Sequence, residues 1–264
     1  MEGSQILRER RGGIYSITIC NPSKNNALTP SILKSLHDEF DYIKEQEDIL
    51  VVIIRGFGQK AFCSGFDIEM LPQLAAEMTG PDPDNNVFQR AINCLDKLPQ
   101  VTIAMINGIA FGGGCEIAAS CDIRIASENA TFAMTASKMG VLYSPSGIKK
   151  FIDLIGLSHT NELFYTALPI DAKRALNIGL VNYVVPPDQL ESFTYKTAEE
   201  ILKRAPLVIR GTKRIISILK ENPVLSRHHL DEINNLRRLC ISSMDFKEAQ
   251  RAFIEKREPI FTGR

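Results

Sequence analysis

The sequence VTIAMINGIAFGGGCEIAASCD, residues 101–122, decides the fold, because it joins a strand to a helix through tight glycine turns. Six apolar residues of strand length come first, Asn107-Gly108 is a strong turn pair, and the glycines at 112–114 precede a segment of helical composition. Glycines ahead of a helix let a ligand approach first-turn N–H groups that have no acceptor within the helix. Such a turn binds an anion, or stabilises negative charge that develops during a reaction by about 3 kcal/mol per donor. A purely structural turn fits the same residues, with Glu116 complementing the helix dipole.

Length and charge narrow the classes of function. The 264 residues suffice for one large domain, or for a domain with a smaller appendage, around a substantial core. Lys plus Arg and Asp plus Glu both number 31, and the absence of net charge argues against a nucleic-acid partner. No apolar stretch approaches the ~20 residues of a membrane-spanning helix, so we expect a soluble protein with no membrane partner. Neither end carries a recognisable targeting signal, and we expect a cytoplasmic location.

Several kinds of site are disfavoured by the motifs. The six cysteines form no C-x-x-C pair, and we expect reduced, mostly buried thiols and no metal site. The histidines at 37, 159, 228 and 229 lie in no metal-ligand spacing, and neither a G-x-S-x-G elbow nor a P-loop is present. Residues 56–61 satisfy the loose dinucleotide pattern G-x-G-x-x-A. No helix is predicted to begin there and no second strand follows at the required distance, so we expect no nicotinamide or flavin cofactor.

Strands and helices alternate along the first two thirds of the chain. Fully apolar strands in such an alternation predict a sheet covered on both faces. Thr29 is a predicted N-cap followed by Pro30 at the first helical position. The predicted strands are 14–20, 50–54, 101–106, 122–126 and 131–135, and the predicted helices are 31–46, 88–97, 199–220 and 231–256. Residues 71–86 have the composition of a loop, either a flap over a site or a solvated insertion.

An earlier glycine turn, in residues 64–67 and so the first of the two along the chain, supplies further N–H donors. With it an ordered set of motifs becomes visible. The motifs NPSKNNALT, AFCSGFDI, INGIAFGGGCEIAASCDIRIAS, TFAMTASKMGV, ALPIDAKRALNIGLVNYVV and AFIEKREPIF resemble, in order and over essentially the whole chain, the crotonase superfamily of enoyl-CoA hydratases and isomerases. The resemblance implies an α/β spiral of ββα units in residues 1–197, which holds the active site. It also implies a C-terminal helical region, residues 198–264, that contacts coenzyme A and assembles a homotrimer or a dimer of trimers.

The resemblance further implies an acyl-CoA thioester as substrate and no separate cofactor. The thioester carbonyl accepts hydrogen bonds from the backbone N–H groups of Phe66 and Gly113, which hold an enolate. Hydratases of the superfamily use two glutamates, and Glu116 matches the first. The second falls at position 136, where this chain has Ala136. Half of the acid/base pair for hydration is therefore missing, and isomerases with a glutamate at the second position lose their base as well.

Within the superfamily the chain is most similar to bacterial methylmalonyl-CoA decarboxylases, in TFAMT followed by GV-x-Y and in the closing AFIEKREPIF-x-G. Tyr143 matches a tyrosine near the substrate carboxylate, Thr135 a substrate-contacting threonine and Lys256 a lysine that contacts coenzyme A. Phe66 replaces a histidine, which leaves the backbone donor intact but makes the acyl pocket more apolar. The residues that the resemblance places in the site are Ser64, Gly65, Phe66, Asp67, Ile68, Gly113, Glu116, Thr135, Tyr143 and Lys256.

The uncharged residue at position 136 favours decarboxylation on electrostatic grounds. The reaction needs no base, and a glutamate there would place a second anion beside the substrate carboxylate, at a cost of roughly 4 kcal/mol at 4 Å. We therefore expect a lyase that decarboxylates methylmalonyl-CoA or a related 2-alkylmalonyl-CoA. A hydratase or isomerase that uses Glu116 alone or with Tyr143 is the second hypothesis. An acyl-CoA-binding protein without turnover is the third.

Overall fold

A computed structural model describes residues 4–70, 72, 76 and 86–264. The predicted loop at 71–86, a flap or a solvated insertion, lies almost entirely outside the described residues. The strands are β1 (Gln5–Arg11), β2 (Ile14–Cys20), β3 (Val51–Gly56), β4 (Ala61–Cys63), β5 (Val101–Ile106), β6 (Ile109–Phe111), β7 (Ile123–Ser127), β8 (Thr131–Ala133), β9 (Ile170–Asp171) and β10 (Tyr183–Val185). The α-helices are α1 (Pro30–Lys44), α2 (Val87–Asp96), α3 (Gly113–Ser120), α4 (Pro145–Thr166), α5 (Ala172–Asn177), α6 (Leu190–Leu202), α7 (Pro206–Glu221), α8 (Arg227–Ser242) and α9 (Met244–Glu255).

The strands form two sheets that the chain visits alternately. The larger sheet has the order β1-β2-β3-β5-β7-β10, parallel from β2 onward with β1 antiparallel at its edge. The smaller sheet has the order β4-β6-β8-β9, with β9 antiparallel to β8. Three successive units each place a long strand in the larger sheet and a short strand in the smaller one: β3 with β4, β5 with β6, and β7 with β8. This arrangement is the α/β spiral of ββα units that the sequence predicted.

The larger sheet is covered on both faces, as the apolar strands predicted. On β3, Val52 and Ile54 belong to the core shared with α1, α2 and α3, whereas Val51 and Ile53 face the core shared with α6. All four are fully buried. Side chains on a strand alternate between faces, so a strand buried on both sides must be apolar throughout.

Helix ends follow the capping residues, with two corrections. The predicted N-cap Thr29 accepts a hydrogen bond from the N–H of Ile32. The predicted helix 199–220 is wrong: α6 ends at Leu202 and α7 begins at Pro206, because proline lacks the N–H that a continuing helix needs and holds the preceding residue extended. The predicted helix 231–256 is also two helices, because Ser243 ends α8 and caps α9 by accepting from the N–H of Phe246.

The predicted C-terminal helical region is present. Helix α7 packs on α8, and α8 packs on α9. Asp245 of α9 accepts hydrogen bonds from the backbone N–H groups of Thr262 and Gly263, which fold the last residues back onto this helix. The predicted boundary between residues 197 and 198 falls within α6, and the two-part division and its role in oligomerisation stay predictions. No helix of the described ranges combines the length and apolarity needed to cross a bilayer.

Helix α3 lies unusually close to β4, and Gly114 makes this possible. A Cβ built on Gly114 would overlap the carbonyl oxygen of Cys63 and lie 2.7 Å from its Cβ. The position therefore admits only glycine, for a steric reason rather than for its backbone angles. Through this contact the start of α3 is held against the end of β4, where the first glycine turn, residues 64–67, begins.

We expect Gly114→Ala to lower the free energy of unfolding by about 1–3 kcal/mol, because the added methyl group pushes α3 away from Cys63. Gly211→Ala is the matched control, since Gly211 is also a buried helical glycine but its added Cβ meets only the Cys240 Sγ at 3.8 Å. The control should gain about 0.5–1 kcal/mol from helix propensity. Urea unfolding of both variants measures the difference, and equal effects would contradict the steric account.

Candidate active site

The first glycine turn is held by a short ladder to the segment before α1. The N–H of Leu28 donates to the carbonyl of Gly65 at 2.7 Å, and the N–H of Asp67 donates to the carbonyl of Leu28 at 2.9 Å. Leu28 and Phe66 thus form a parallel β-bridge. Gly65 has a φ of +95°, which an L side chain rarely adopts. The backbone of Phe66 is fixed by its neighbours on both sides.

The second glycine turn begins α3. Gly112 has a φ of +50° and donates its N–H to the carbonyl of Ala133 at 2.8 Å, which ties the turn to β8. A Cβ built on Gly65 would stand 3.6 Å from the backbone nitrogen of Gly113, and one built on Gly113 would stand 3.2 Å from the ring of Phe66. The two turns therefore lie directly against each other.

Two backbone donors at this junction have no acceptor among the described residues. In the parts of the chain that the structure describes, neither the N–H of Phe66 nor the N–H of Gly113 forms a hydrogen bond within the protein. Gly113 is the first residue of α3, where N–H groups lack an intrahelical partner and carry the positive end of the helix dipole. Polar groups in such positions are available to a ligand oxygen.

Glu116 lies in the first turn of α3 and is 1% exposed. Its Oε1 atom is buried and has no hydrogen-bond partner among the described residues. Burial raises the pKa of Glu116 to about 7, partly opposed by the positive charge of Lys150 and assisted by the negative charge of Asp96. The carboxyl group is therefore poised to hold or release a proton near neutral pH.

A buried lysine of α4 contacts α3 at Ser120, one helical turn beyond Glu116. Lys150 of α4 has a 7% exposed side chain and donates to Asp96 of α2 at 2.9 and 3.1 Å and to the hydroxyl of Ser120 of α3. Ser120 in turn donates to the backbone carbonyl of Glu116 at 2.9 Å. This network fixes three helices around Glu116. It also places an ammonium group close enough to lower the pKa of Glu116, which is otherwise raised by burial.

Tyr143 closes the other side of the site. Its hydroxyl is buried and has no hydrogen-bond partner among the described residues. A Cβ on Gly112 would stand 3.9 Å from this hydroxyl and 3.1 Å from the Oγ1 of Thr135, so both side chains adjoin the start of α3. A Cβ on Gly147 would lie 3.1 Å from both Glu116 Oε1 and the Tyr143 ring. Burial, assisted by the charge of Glu116, raises the pKa of Tyr143 well above its usual value, so the phenol keeps its proton.

The remaining residues of the first turn face an ion-pair cluster. The Ser64 hydroxyl donates to the carbonyl of Lys24 at 3.1 Å. The ammonium of Lys24 contacts the buried Asp67 at 2.8 Å and Glu69 at 2.7 Å. The side chain of Ile68 is largely exposed. These contacts hold the turn from its outer side, and the assignment of Ser64, Asp67 and Ile68 to substrate binding stays a prediction.

Lys256 is not brought to this cluster. It follows α9 with a φ of +53°, is exposed, and its side chain has no hydrogen bond or ion pair in the described part of the chain. Its predicted contact with coenzyme A therefore stays a prediction.

Sequence reasoning missed two residues of the site. Phe88 of α2 packs edge-to-face on Phe66, with ring centroids 4.9 Å apart, and Lys150 approaches Glu116 from α4. Neither residue belongs to a motif, and the partners of Lys150 are 54 and 30 residues away in the chain. Hydrophobic spacing indicated that Phe88 is helical, but no local signal revealed its contact with Phe66.

Comparison with known proteins gives a consistent result. A family model described as enoyl-CoA hydratase/isomerase matches residues 9–264. The short-chain-enoyl-CoA hydratase of Clostridium acetobutylicum is 34% identical over 261 residues, which cover 98% of this chain and 97% of that protein. This chain belongs to the enoyl-CoA hydratase/isomerase family.

Other members of the enoyl-CoA hydratase/isomerase family are equally similar. The methylmalonyl-CoA decarboxylase of Escherichia coli K12 is 33% identical over 242 residues, which cover 91% of each chain. The crystal structure of an enoyl-CoA hydratase/carnithine racemase from Magnetospirillum magneticum has a TM-score of 0.91 at 32% identity, covering 98% of this chain and 96% of that one. The crotonase fold and an acyl-CoA enzyme activity are thus shown, whereas the individual reaction is not resolved by similarity.

The raised pKa of Glu116 makes the stability of this family member depend on pH. The folded state binds the Glu116 proton more tightly than the unfolded chain does, so the free energy of unfolding falls as the pH rises from about 4.5 to about 7. Gln does not titrate and resembles the protonated carboxyl group. We expect Glu116→Gln to match the parent protein near pH 4 and to exceed its stability by about 3 kcal/mol at pH 8.

Urea unfolding across this pH range measures the effect. Glu199→Gln, on the exposed surface of α6, is the control and should follow the parent protein at every pH. A stability difference between Glu116→Gln and the parent protein that does not change with pH would contradict a buried, neutral Glu116.

Proposed function

We propose that this protein is an acyl-CoA lyase that decarboxylates a 2-alkylmalonyl-CoA, with methylmalonyl-CoA as the first candidate substrate. The carbonyl oxygen of the thioester binds to the N–H groups of Phe66 and Gly113. The carboxylate of the substrate binds on the side of Tyr143 and Thr135. The similarity to the Escherichia coli methylmalonyl-CoA decarboxylase supports this choice within the family.

The observation that carries the proposal is the buried Tyr143 hydroxyl, which has no hydrogen-bond partner among the residues that the structure describes. A buried donor left unpaired costs free energy unless a ligand satisfies it. Its raised pKa keeps the group a donor, and a donor at this place suits an anion such as a carboxylate. Gly112 and Thr135 adjoin the hydroxyl, so an anion bound there lies next to the donors at the start of α3.

Glu116 then fits the same reaction. A carboxylate so close to the substrate carboxylate would repel it, but a pKa of about 7 allows Glu116 to be neutral, and a nearby anion favours the neutral form further. The bond between the α-carbon and the carboxylate then breaks. Carbon dioxide leaves, and the electron pair of the broken bond stays with the acyl group as the enolate. The neutral Glu116 delivers a proton to the α-carbon and is reprotonated from solvent. The net reaction consumes one proton and releases carbon dioxide and the shortened acyl-CoA.

The surroundings of the acyl group support a small, uncharged α-substituent. Ala136 stands half-buried at the position of the second hydratase glutamate, so no anion is contributed from there. Phe66 and Phe88 form an apolar wall beside Gly113. An apolar surrounding raises the energy of a bound carboxylate relative to neutral carbon dioxide, an effect whose description is contested.

Hydration or isomerisation of an enoyl-CoA is the alternative, and Glu116 favours it. A carboxyl group with a pKa near 7 serves both as acid and as base, and several relatives are named hydratases. In this alternative Glu116 acts alone or with Tyr143, because position 136 contributes no carboxylate.

The remaining assignments complete the proposal. The reaction requires no cofactor apart from the coenzyme A of the substrate, to which Lys256 contributes a contact. Assembly as a homotrimer or a dimer of trimers is supported by apolar side chains that α8, α9 and the segment after α9 expose, namely Leu239, Ile241, Phe253, Ile254 and Ile260.

Product analysis by mass spectrometry separates the two reactions. We expect methylmalonyl-CoA to yield propionyl-CoA, and crotonyl-CoA to remain unchanged. Glu116→Gln should retain most of the decarboxylation, because water also protonates an enolate, but it should abolish hydration or isomerisation. Turnover of crotonyl-CoA without decarboxylation would establish the alternative, and tight binding of both thioesters without product would indicate a binding protein.

Tyr143→Phe tests the residue on which the proposal depends. Loss of one charge-assisted hydrogen bond, worth roughly 1.5–3 kcal/mol, should lower kcat for decarboxylation about ten- to hundredfold. Tyr165→Phe is the control, because Tyr165 lies on α4 with a largely exposed side chain. Unchanged decarboxylation by Tyr143→Phe at saturating substrate would remove Tyr143 from the mechanism.

A further inference from the structure

Three potential metal ligands of different chemistry meet on the outer side of α1 and α2. His37 and Asp41 lie one turn apart on α1, and Cys94 faces them from α2. The His37 Nδ1 is 3.0 Å from the Cys94 Sγ, the Cys94 Sγ is 3.5 Å from the Asp41 Oδ1, and the His37 Nδ1 is 3.9 Å from the Asp41 Oδ2. The cluster lies outside the acyl-CoA site described above.

These separations suit one bound ion. Zinc binds sulfur at about 2.3 Å and nitrogen or oxygen at about 2.0–2.2 Å, so ligand atoms around a tetrahedral zinc stand roughly 3.4–3.6 Å apart. The three separations, 3.0, 3.5 and 3.9 Å, bracket this range. Asp41 faces the thiol with Oδ1 and the imidazole with Oδ2, so a rotation of its carboxylate is needed to present one oxygen to the ion. Small side-chain rotations bring all three atoms to coordination distance.

We propose that His37, Asp41 and Cys94 form a zinc-type metal site that joins α1 to α2. One imidazole nitrogen, one carboxylate oxygen and one thiolate are the donor set of a borderline metal ion such as Zn²⁺ rather than of Mg²⁺ or Ca²⁺. Asp41 is exposed and the other two residues are half-buried, so the ion has a path from solvent and a fourth position for water.

The sequence predicted no metal site, because paired motifs such as H-E-x-x-H and C-x-x-C are absent. The pair at 37 and 41 has the spacing of one helical turn, but the third ligand is 53 residues further along the chain. Only the packing of α1 against α2 brings Cys94 to the pair.

Metal binding at this site is coupled to proton release. A metal ion binds the thiolate form of a cysteine. Formation of the metal–sulfur bond releases the thiol proton to solvent, so the affinity increases with pH.

A metal ion here would clamp the helix that flanks the active site. Helix α2 also carries Phe88, which packs on Phe66, and Asp96, which pairs with Lys150. A bridge from Cys94 to α1 restrains α2 from the side opposite to these contacts. The ion would stabilise the position of α2 and would take no part in the reaction.

Cobalt is the probe, because a thiolate bound to Co²⁺ gives a charge-transfer band in the near ultraviolet. The reduced full-length protein, freed of metal by a chelator, is titrated anaerobically with Co²⁺. We expect one Co²⁺ per chain, and displacement of the band by Zn²⁺. Cys94→Ser should lose the band, whereas Cys240→Ser, which alters the other half-buried cysteine, should keep it.

Asp41→Asn tests the third ligand. It should weaken the apparent cobalt affinity about tenfold or more, because even partners outside the ligand set change metal affinity by that amount. A parent protein without the band at millimolar cobalt, a band that persists in Cys94→Ser, or an unchanged affinity in Asp41→Asn would each overturn the proposal. In those cases the cluster is only a hydrogen-bonded contact between helices.

Discussion

The close approach of α3 to β4 is the contact on which the active site depends. Gly114 lies against the Cys63 carbonyl with no room for a side chain, so the start of α3 and the turn after β4 meet. The N–H groups of Phe66 and Gly113, which find no acceptor in the described ranges, belong to these two segments. A larger residue at position 114 would separate them, and two unpaired donors would no longer adjoin one substrate atom.

The close packing of the site also determines its electrostatics. Glu116 is buried in the same turn of α3, so its pKa is raised, and the side chain of Lys150 prevents it from rising further. Lys150 is itself compensated by Asp96 and Ser120, because an isolated buried ammonium would be costly. The protonation state of this carboxyl group is therefore adjustable near neutral pH.

The family relationship defines the fold and the acyl-CoA chemistry but not the reaction. Hydratases and a decarboxylase are nearly equally identical to this chain. The reaction depends on few side chains around the α-carbon, and these account for little of the overall identity. In this chain the residues from which we infer the reaction are Phe66, Ala136 and Tyr143, because each affects the charge or the polarity of the proposed acyl pocket.

Much of the architecture was determined by the sequence. Apolar strands alternating with helices indicated a sheet buried on both faces, Thr29-Pro30 determined the start of α1, and the strands 14–20 and 101–106 have the predicted bounds. These features depend on local spacing and capping, which the sequence displays directly. Pro206 and Ser243 also carried local signals, but the apolar periodicity on either side of them obscured these helix ends.

Only the tertiary structure decided which distant groups meet. Three sets of contacts join residues at least 22 positions apart. They are the network of Lys150 with Asp96 and Ser120, the contact of Phe88 with Phe66, and the contact of Cys94 with α1. The sequence named Glu116 and Tyr143 but gave neither their burial nor their missing partners. Hydrogen bonding and desolvation depend on the atoms within a few ångströms, and those atoms come from other segments of the chain.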